Sequence, residues 1–237
     1  MSDHRPDMAT APSTTAERTR SLLRNVYLWM TGGLALTAVV ALGVASNTDI
    51  IRAILSSRFL FFALLIAEMG LVLFLSARIA KLSPVAATVA FAAYAVLNGV
   101  TLSLILLIYT SASLATALFI TAGTFAGMSV YASVTRRDLS KVGTYLVYGV
   151  WGIILASLVN LFLKSPVVDW IVSYVGVAVF LGLTAYDTQV IRRWSAEAGD
   201  SLSEADYIRF SILGALKLYL DFINLFLFFL RIFGRRK

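Results

Sequence analysis

The chain has 237 residues, 59% of them hydrophobic and only 14% charged, with a mean hydropathy of +0.84. No soluble core needs that much apolar sequence, and the class implied is an all-α polytopic membrane protein. The formal charge of +7 does not point to nucleic acid as a partner, because most Lys and Arg residues stand at the ends of apolar runs, where they set topology. There is no Cys and a single His, His4, which excludes disulfides, thiolate and histidine-based catalysis and most transition-metal sites; no enzymatic activity and no tightly bound cofactor are expected.

The first 21 residues, rich in Ser, Thr, Ala and Pro, read as a disordered tail in water. A first apolar run, 22–45, is too long for the core of a signal peptide and is expected to stay as helix one. Six more runs follow, at 59–77, 84–109, 113–134, 142–163, 167–190 and 212–233, each near the length of about 20 residues that crosses about 30 Å of hydrocarbon. Residues 22–233 therefore form one seven-helix transmembrane domain, and 234–237 a basic tail. Pro84 and Pro166 fall near the starts of runs three and six, where a missing N–H is harmless. Gly and Ala recur through runs three to six, which suits close helix packing in lipid. The connections are short except 50–58 and 192–209, and the acidic residues Glu197, Asp200, Glu204 and Asp206 lack the spacing of a calcium loop and read as solvated.

Alternate loops divide the basic residues unequally. On the side of the N-terminus lie Arg5, Arg18, Arg20, Arg24, Arg78, Lys81, Arg136, Arg137, Lys141, Arg192, Arg193 and Arg209, whereas the opposite loops hold Arg52, Arg58 and Lys164. The N-terminus is accordingly expected in the cytoplasm. Seven spans then put the C-terminus outside, although Arg231, Arg235, Arg236 and Lys237 make it as basic as a cytoplasmic segment.

The seventh run carries Lys217, Asp221 and Asn224 at its centre. An ionised group at that depth is costly unless it faces the protein interior and finds a partner, so this helix is expected to be a central post surrounded by the other six. Lys217 stands one turn before Asp221 on the same face and is positioned to bridge to it. Glu68 lies near the middle of helix two, Arg78 closes that helix, and Asp187 stands one turn before the end of run six, at the depth of Arg78. Asp221 lies deeper, within reach if the helices pack closely.

Two segments, LTAYDTQVI at 183–191 and ALKLYLDFINLF at 215–226, resemble the signature of the Bax inhibitor family of membrane proteins. In that family two aspartates form a hydrogen-bonded pair that senses pH, an arginine of the second helix latches onto them, and the protein leaks calcium. The resemblance implies that Asp187 and Asp221 are the proton sensor, that Arg78 is the latch, and that the protein sits in a bacterial inner membrane with lipid, protons and calcium as its partners. Some bacterial relatives restrain a membrane-anchored ATP-dependent protease, so an interaction protein of that kind is the alternative.

The chemistry has its own logic. Two carboxyls in contact in a low-dielectric site cannot both ionise cheaply, so they hold a proton between them and titrate as a unit. Arg78 favours the ionised pair, and protonation releases it, which makes a latch that reads pH. The same oxygens suit calcium weakly, since two carboxylates fall short of its six to eight ligands and need Glu68, Asn224, water or backbone carbonyls beside them.

Plainer readings stand next to these. Arg78 also suits an interfacial anchor, Asp187 a partner of Arg192 or Arg193, Glu68 and Lys217 structural partners of other buried charges, and Asn98 and Asn160 interhelical hydrogen bonds. Intramembrane aspartyl proteases share a Tyr-Asp like Tyr186-Asp187, but their second aspartate follows Gly-x-Gly, whereas here Leu218-Tyr219-Leu220 precedes Asp221. Retinal proteins share a lysine in helix seven, but helix three here offers no carboxylate counter-ion.

Overall fold

Helices carry the described chain: α1 (Thr15–Ala45), α2 (Thr48–Ser56), α3 (Arg58–Arg78), a 3-10 turn (Ile79–Lys81), α4 (Pro84–Ile108), α5 (Ser111–Val134), α6 (Ser140–Leu163), α7 (Pro166–Ala198) and α8 (Glu204–Phe233). The computed structural model describes residues 15–198 and 203–237. In hydrocarbon every backbone N–H and C=O must be satisfied within its own segment, which leaves helices as the solution for apolar runs of this length. Side-chain oxygens satisfy amides freed at the starts: Ser57 accepts from Leu60, Ser83 from Ala86, Thr110 from Ser113 and Ser203 from Asp206. Seven helices, α1 and α3–α8, are long and apolar enough to cross a membrane.

Three local expectations change. The 50–58 connection contains a helix, α2, which Asn47 starts by accepting from the amides of Asp49 and Ile50. Ile50, Ile51, Ile54 and Leu55 recur at helical spacing, so α2 is amphipathic and too short to cross. The 192–209 connection is mostly helix as well, because α7 runs on to Ala198 and α8 begins at Glu204. Polar helix formers without Gly or Pro let a helix continue past the end of its apolar run. Residues 15–21 of the expected tail belong to α1; residues 1–14, with His4, and Asp200 lie outside the described residues.

Helix α8 carries Lys217, Asp221 and Asn224 along its apolar run, and polar groups at that depth face protein rather than lipid. Of its most apolar window 67% is buried, against 39% for α7 and 6% for α3. Its main neighbours are α1, α4, α5 and α7, whereas α3 packs chiefly on α4 and α6 on α7, so two of the six helices expected around it are outer ones. Phe62, Ile66 and Leu73 of α3 and Trp151, Leu155 and Phe162 of α6 are exposed, an apolar surface that requires lipid rather than water. At the centre, Tyr219 meets the rings of Phe91 and Tyr94 edge-on, with centroids 6.0 and 5.7 Å away. Its hydroxyl lies 2.7 Å from Thr37 Oγ1, which donates to the Ala95 carbonyl at 2.9 Å and so knots α1, α4 and α8 together.

The α1–α4 contact depends on Gly99. A Cβ there would stand 2.7 Å from the Thr37 carbonyl oxygen and 2.8 Å from Val40 Cβ, and a backbone atom does not yield as a side-chain tip does. Gly99→Val should cost about 1–3 kcal/mol by overpacking, read as a fall in melting temperature in detergent; an unchanged melting temperature would show that α1 and α4 separate freely.

The basic C-terminus sits at the end of the bundle opposite α1's N-terminus. The Arg235 carbonyl accepts from the Thr110 amide at 3.1 Å, and the Lys237 amide donates to the Ile108 carbonyl at 2.8 Å. Lys237 Nζ also reaches the Leu106 carbonyl at 3.0 Å. The Lys237 ammonium thus lies against the carbonyl end of α4, where the helix dipole favours positive charge.

Candidate functional site

Helices α7 and α8 are neighbours, and each supplies one buried aspartate: Asp187 is 6% exposed and Asp221 3%. Because α7 extends to Ala198, Asp187 stands about three turns inside its end rather than one. Tyr186 lies directly against Gly143 of α6, where any Cβ would strike its ring, so the residue before Asp187 is held by close backbone approach. The hydroxyls of Thr184 and Thr188 are spent on carbonyls of α7 itself, at 2.8 and 2.7 Å.

The cation beside Asp187 is Lys217, whose Nζ stands 3.1 Å from Asp187 Oδ1, with side chains 35% and 8% exposed respectively. The bridge thus crosses from α8 to α7 and does not run along α8 to Asp221. Long side chains on a helix lean toward its N-terminus, so Lys217 leans away from a carboxylate four residues later. Asp221 lies within electrostatic reach of both Asp187 and Lys217, yet its Oδ2 is buried with no hydrogen-bond partner. Among the described residues no hydrogen bond joins the two carboxyls. The site therefore holds two buried carboxyls and one ammonium, with one acceptor oxygen left over.

The other residues singled out lie apart from this cluster. Arg78 is exposed at the end of α3 and makes no ion pair among the described residues. The Asn224 amide donates to the Leu220 carbonyl of its own helix at 2.8 Å. Glu68 belongs to a second buried polar group with Thr101, Tyr94 and Tyr219, and its Oε1 has no hydrogen-bond partner. Asn98 Oδ1 is likewise buried without a partner. Asn160 joins α6 to α7 by donating to Asp169 Oδ1 at 2.8 Å and accepting from the Ser165 amide at 2.9 Å. Arg192 and Arg193 turn toward the α5–α6 connection rather than toward Asp187. Arg209 donates to the Leu82 carbonyl at 2.6 Å and to Asp206 at 2.8 Å, tying the start of α8 to the 3-10 turn.

Among the described residues no three His, Cys, Asp or Glu side chains gather as metal ligands. A cation entering between Asp187 and Asp221 competes with the Lys217 ammonium for the same oxygen, so the arrangement suits transient passage better than retention.

Over residues 19–237 the chain matches the family described as "Inhibitor of apoptosis-promoting Bax1". It is 47% identical over 218 residues to the inner membrane protein YbhL of Escherichia coli strain K12, a match that spans 92% of this chain and 93% of that one. An uncharacterized protein of Borreliella burgdorferi is 43% identical over 94% of this chain and 97% of its own. One of Deinococcus radiodurans is 42% identical over 97% and 96%.

Proposed function

Because the chain belongs to the Bax inhibitor family of membrane proteins, we propose that it is a pH-sensitive cation leak, with calcium as the transported ion, gated by Asp187 and Asp221. The supporting observation is the imbalance of the buried site: among the described residues two carboxyls share the one ammonium of Lys217, and Asp221 Oδ2 has no hydrogen-bond partner. That leaves a negative charge which either a shared proton or a passing cation neutralises. With the pair ionised, Lys217 clamps α8 to α7; a proton taken up by the pair weakens the clamp and lets the helices part. YbhL is named an inner membrane protein, and the same membrane is proposed for this chain, with the N-terminus in the cytoplasm. Tags at Thr10 and in the 195–205 stretch should both be protected from the outside, and labelling of either from outside would reverse the orientation.

Arg78 is the proposed latch of the same gate: it stands apart from the pair in this structure, and, exposed at the end of α3 with no ion pair among the described residues, it would have to swing onto the pair in the closed state. In calcium-loaded liposomes Arg78→Ala should raise the leak near neutral pH and change little in acid, where protonation has already freed the pair. Unchanged or reduced flux at neutral pH would remove Arg78 from the gate and leave Lys217 as its only cation.

A further inference from the structure

On the same side of the bundle as α1's N-terminus, the α5–α6 connection and the end of α7 enclose a cavity of about 430 Å3 whose walls include Arg136, Arg137, Asp138, Gln189, Arg192 and Arg193. The cavity is a built feature. Gln189 accepts from the Leu139 amide at 3.1 Å and donates to the Arg137 carbonyl at 2.8 Å, fixing the arginine-bearing loop to α7. Arg192 Nη1 donates to the carbonyls of Ala132 and Ser133, at 2.9 and 2.7 Å, and so caps the end of α5.

The remaining donors are not used up among the described residues. Arg193 reaches the Ser140 hydroxyl and stands 3.5 Å from Asp138 through Nη1, while its Nη2 is buried with no hydrogen-bond partner. Arg136 and Arg137 are exposed and make no ion pair among the described residues. Among the described residues the wall has one carboxylate, Asp138, and it is already engaged: the Ser140 hydroxyl and amide donate to it at 2.6 and 2.9 Å and hold its carboxyl below the usual range. Four guanidinium groups against one occupied carboxylate form a concave anion site, and guanidinium forks match phosphate oxygens in pairs.

The surroundings select the source of the phosphate. Tyr131 and Val134 on the last turns of α5, and Val142 and Tyr145 on the first turns of α6, are exposed beside the loop. An apolar, tyrosine-bearing rim next to arginines is the profile of a headgroup layer, where acyl chains lie along the helices and the phosphate lies at their ends. A water-soluble phosphate has no use for that rim. We propose that this cavity binds the phosphodiester headgroup of an anionic phospholipid in the leaflet on the side of the N-terminus. The site does not depend on the ion-leak reading and stands or falls separately.

Native mass spectrometry of the purified full-length protein with added phosphatidylglycerol or phosphatidylcholine tests it. Phosphatidylglycerol should be retained preferentially, and each interacting arginine contributes roughly fivefold. The double variant Arg136→Gln/Arg137→Gln, made at exposed positions that hold no part of the fold, should lower the preference by roughly tenfold or more, and Arg193→Gln should lower it further. Lys164→Gln, at the opposite end of the bundle, should leave it unchanged. Equal retention of the two lipids, or a preference that survives the Arg136→Gln/Arg137→Gln change, would overturn the proposal. So would displacement of the lipid by millimolar inorganic phosphate, which would make this a site for a soluble anion.

Discussion

Asp187→Asn should destabilise the protein by about 3 kcal/mol, the lower end of the cost of breaking a buried ion pair. The substitution keeps the shape of the side chain and removes the charge that Lys217 Nζ meets at 3.1 Å. The ammonium then loses the carboxylate it touches and keeps only the longer-range attraction of Asp221, and the lower figure applies for that reason and because the Lys217 side chain retains 35% exposure. Lys217→Gln should also destabilise, since it leaves two carboxyls with no counter-charge. Asp187→Asn/Lys217→Gln should cost clearly less than the sum of the two single changes, because an amide and an amide can hydrogen-bond where one stranded charge cannot. Melting temperatures of the four proteins in one detergent decide the matter. Strict additivity would mean that the cross-helix pair carries no coupling, and Lys217 would then be a surface-seeking lysine rather than a clamp.

The sequence carried the spans because apolar length is a direct demand of the bilayer, and the seven apolar runs each fall on a long helix. It was less informative wherever polarity changed without a change of backbone. The ends of α7 and α8 are polar yet helical, so Asp187, expected one turn from a helix end, stands well inside one. Helix α2 is legible from Asn47 and the Ile spacing, but a helix too short to cross gives no hydropathy signal. At the site, Asp187 and Asp221, which the family resemblance pairs, lie within electrostatic reach of each other. Which carboxylate Lys217 takes was not legible, since both stand within its reach and only side-chain direction on a helix and the packing of α7 decide between them. Glu68 was visible as a charge within an apolar run, but its neighbours Tyr94, on the next helix, and Tyr219, on a helix far away in the chain, were not. The Arg192 and Arg193 pair looked like a partner for Asp187 by proximity in sequence, whereas helical geometry turns Arg192 toward the end of α5 and Arg193 toward the start of α6.

The central claim is that Asp187 and Asp221 act as one titrating unit, because two buried carboxyls sharing one ammonium take up and release protons together. Proton uptake removes the charge that holds Lys217, so the leak should grow as the pH on the N-terminal side falls. Asp187→Asn and Asp221→Asn each leave a single carboxyl with no partner to share a proton. Each should therefore flatten the pH response or shift it toward acid, and the double substitution should add little to either single one. The Asp187→Asn protein is expected to be less stable, so flux is normalised to folded protein. The decisive measurement is calcium efflux from liposomes carrying the purified wild type or either single variant, followed across a pH series from acid to alkaline. The account predicts a steep rise toward acid in the wild type and, in both variants, a profile that is flattened or shifted toward acid; both folded variants keeping the wild-type midpoint would contradict it and favour a membrane interaction protein instead.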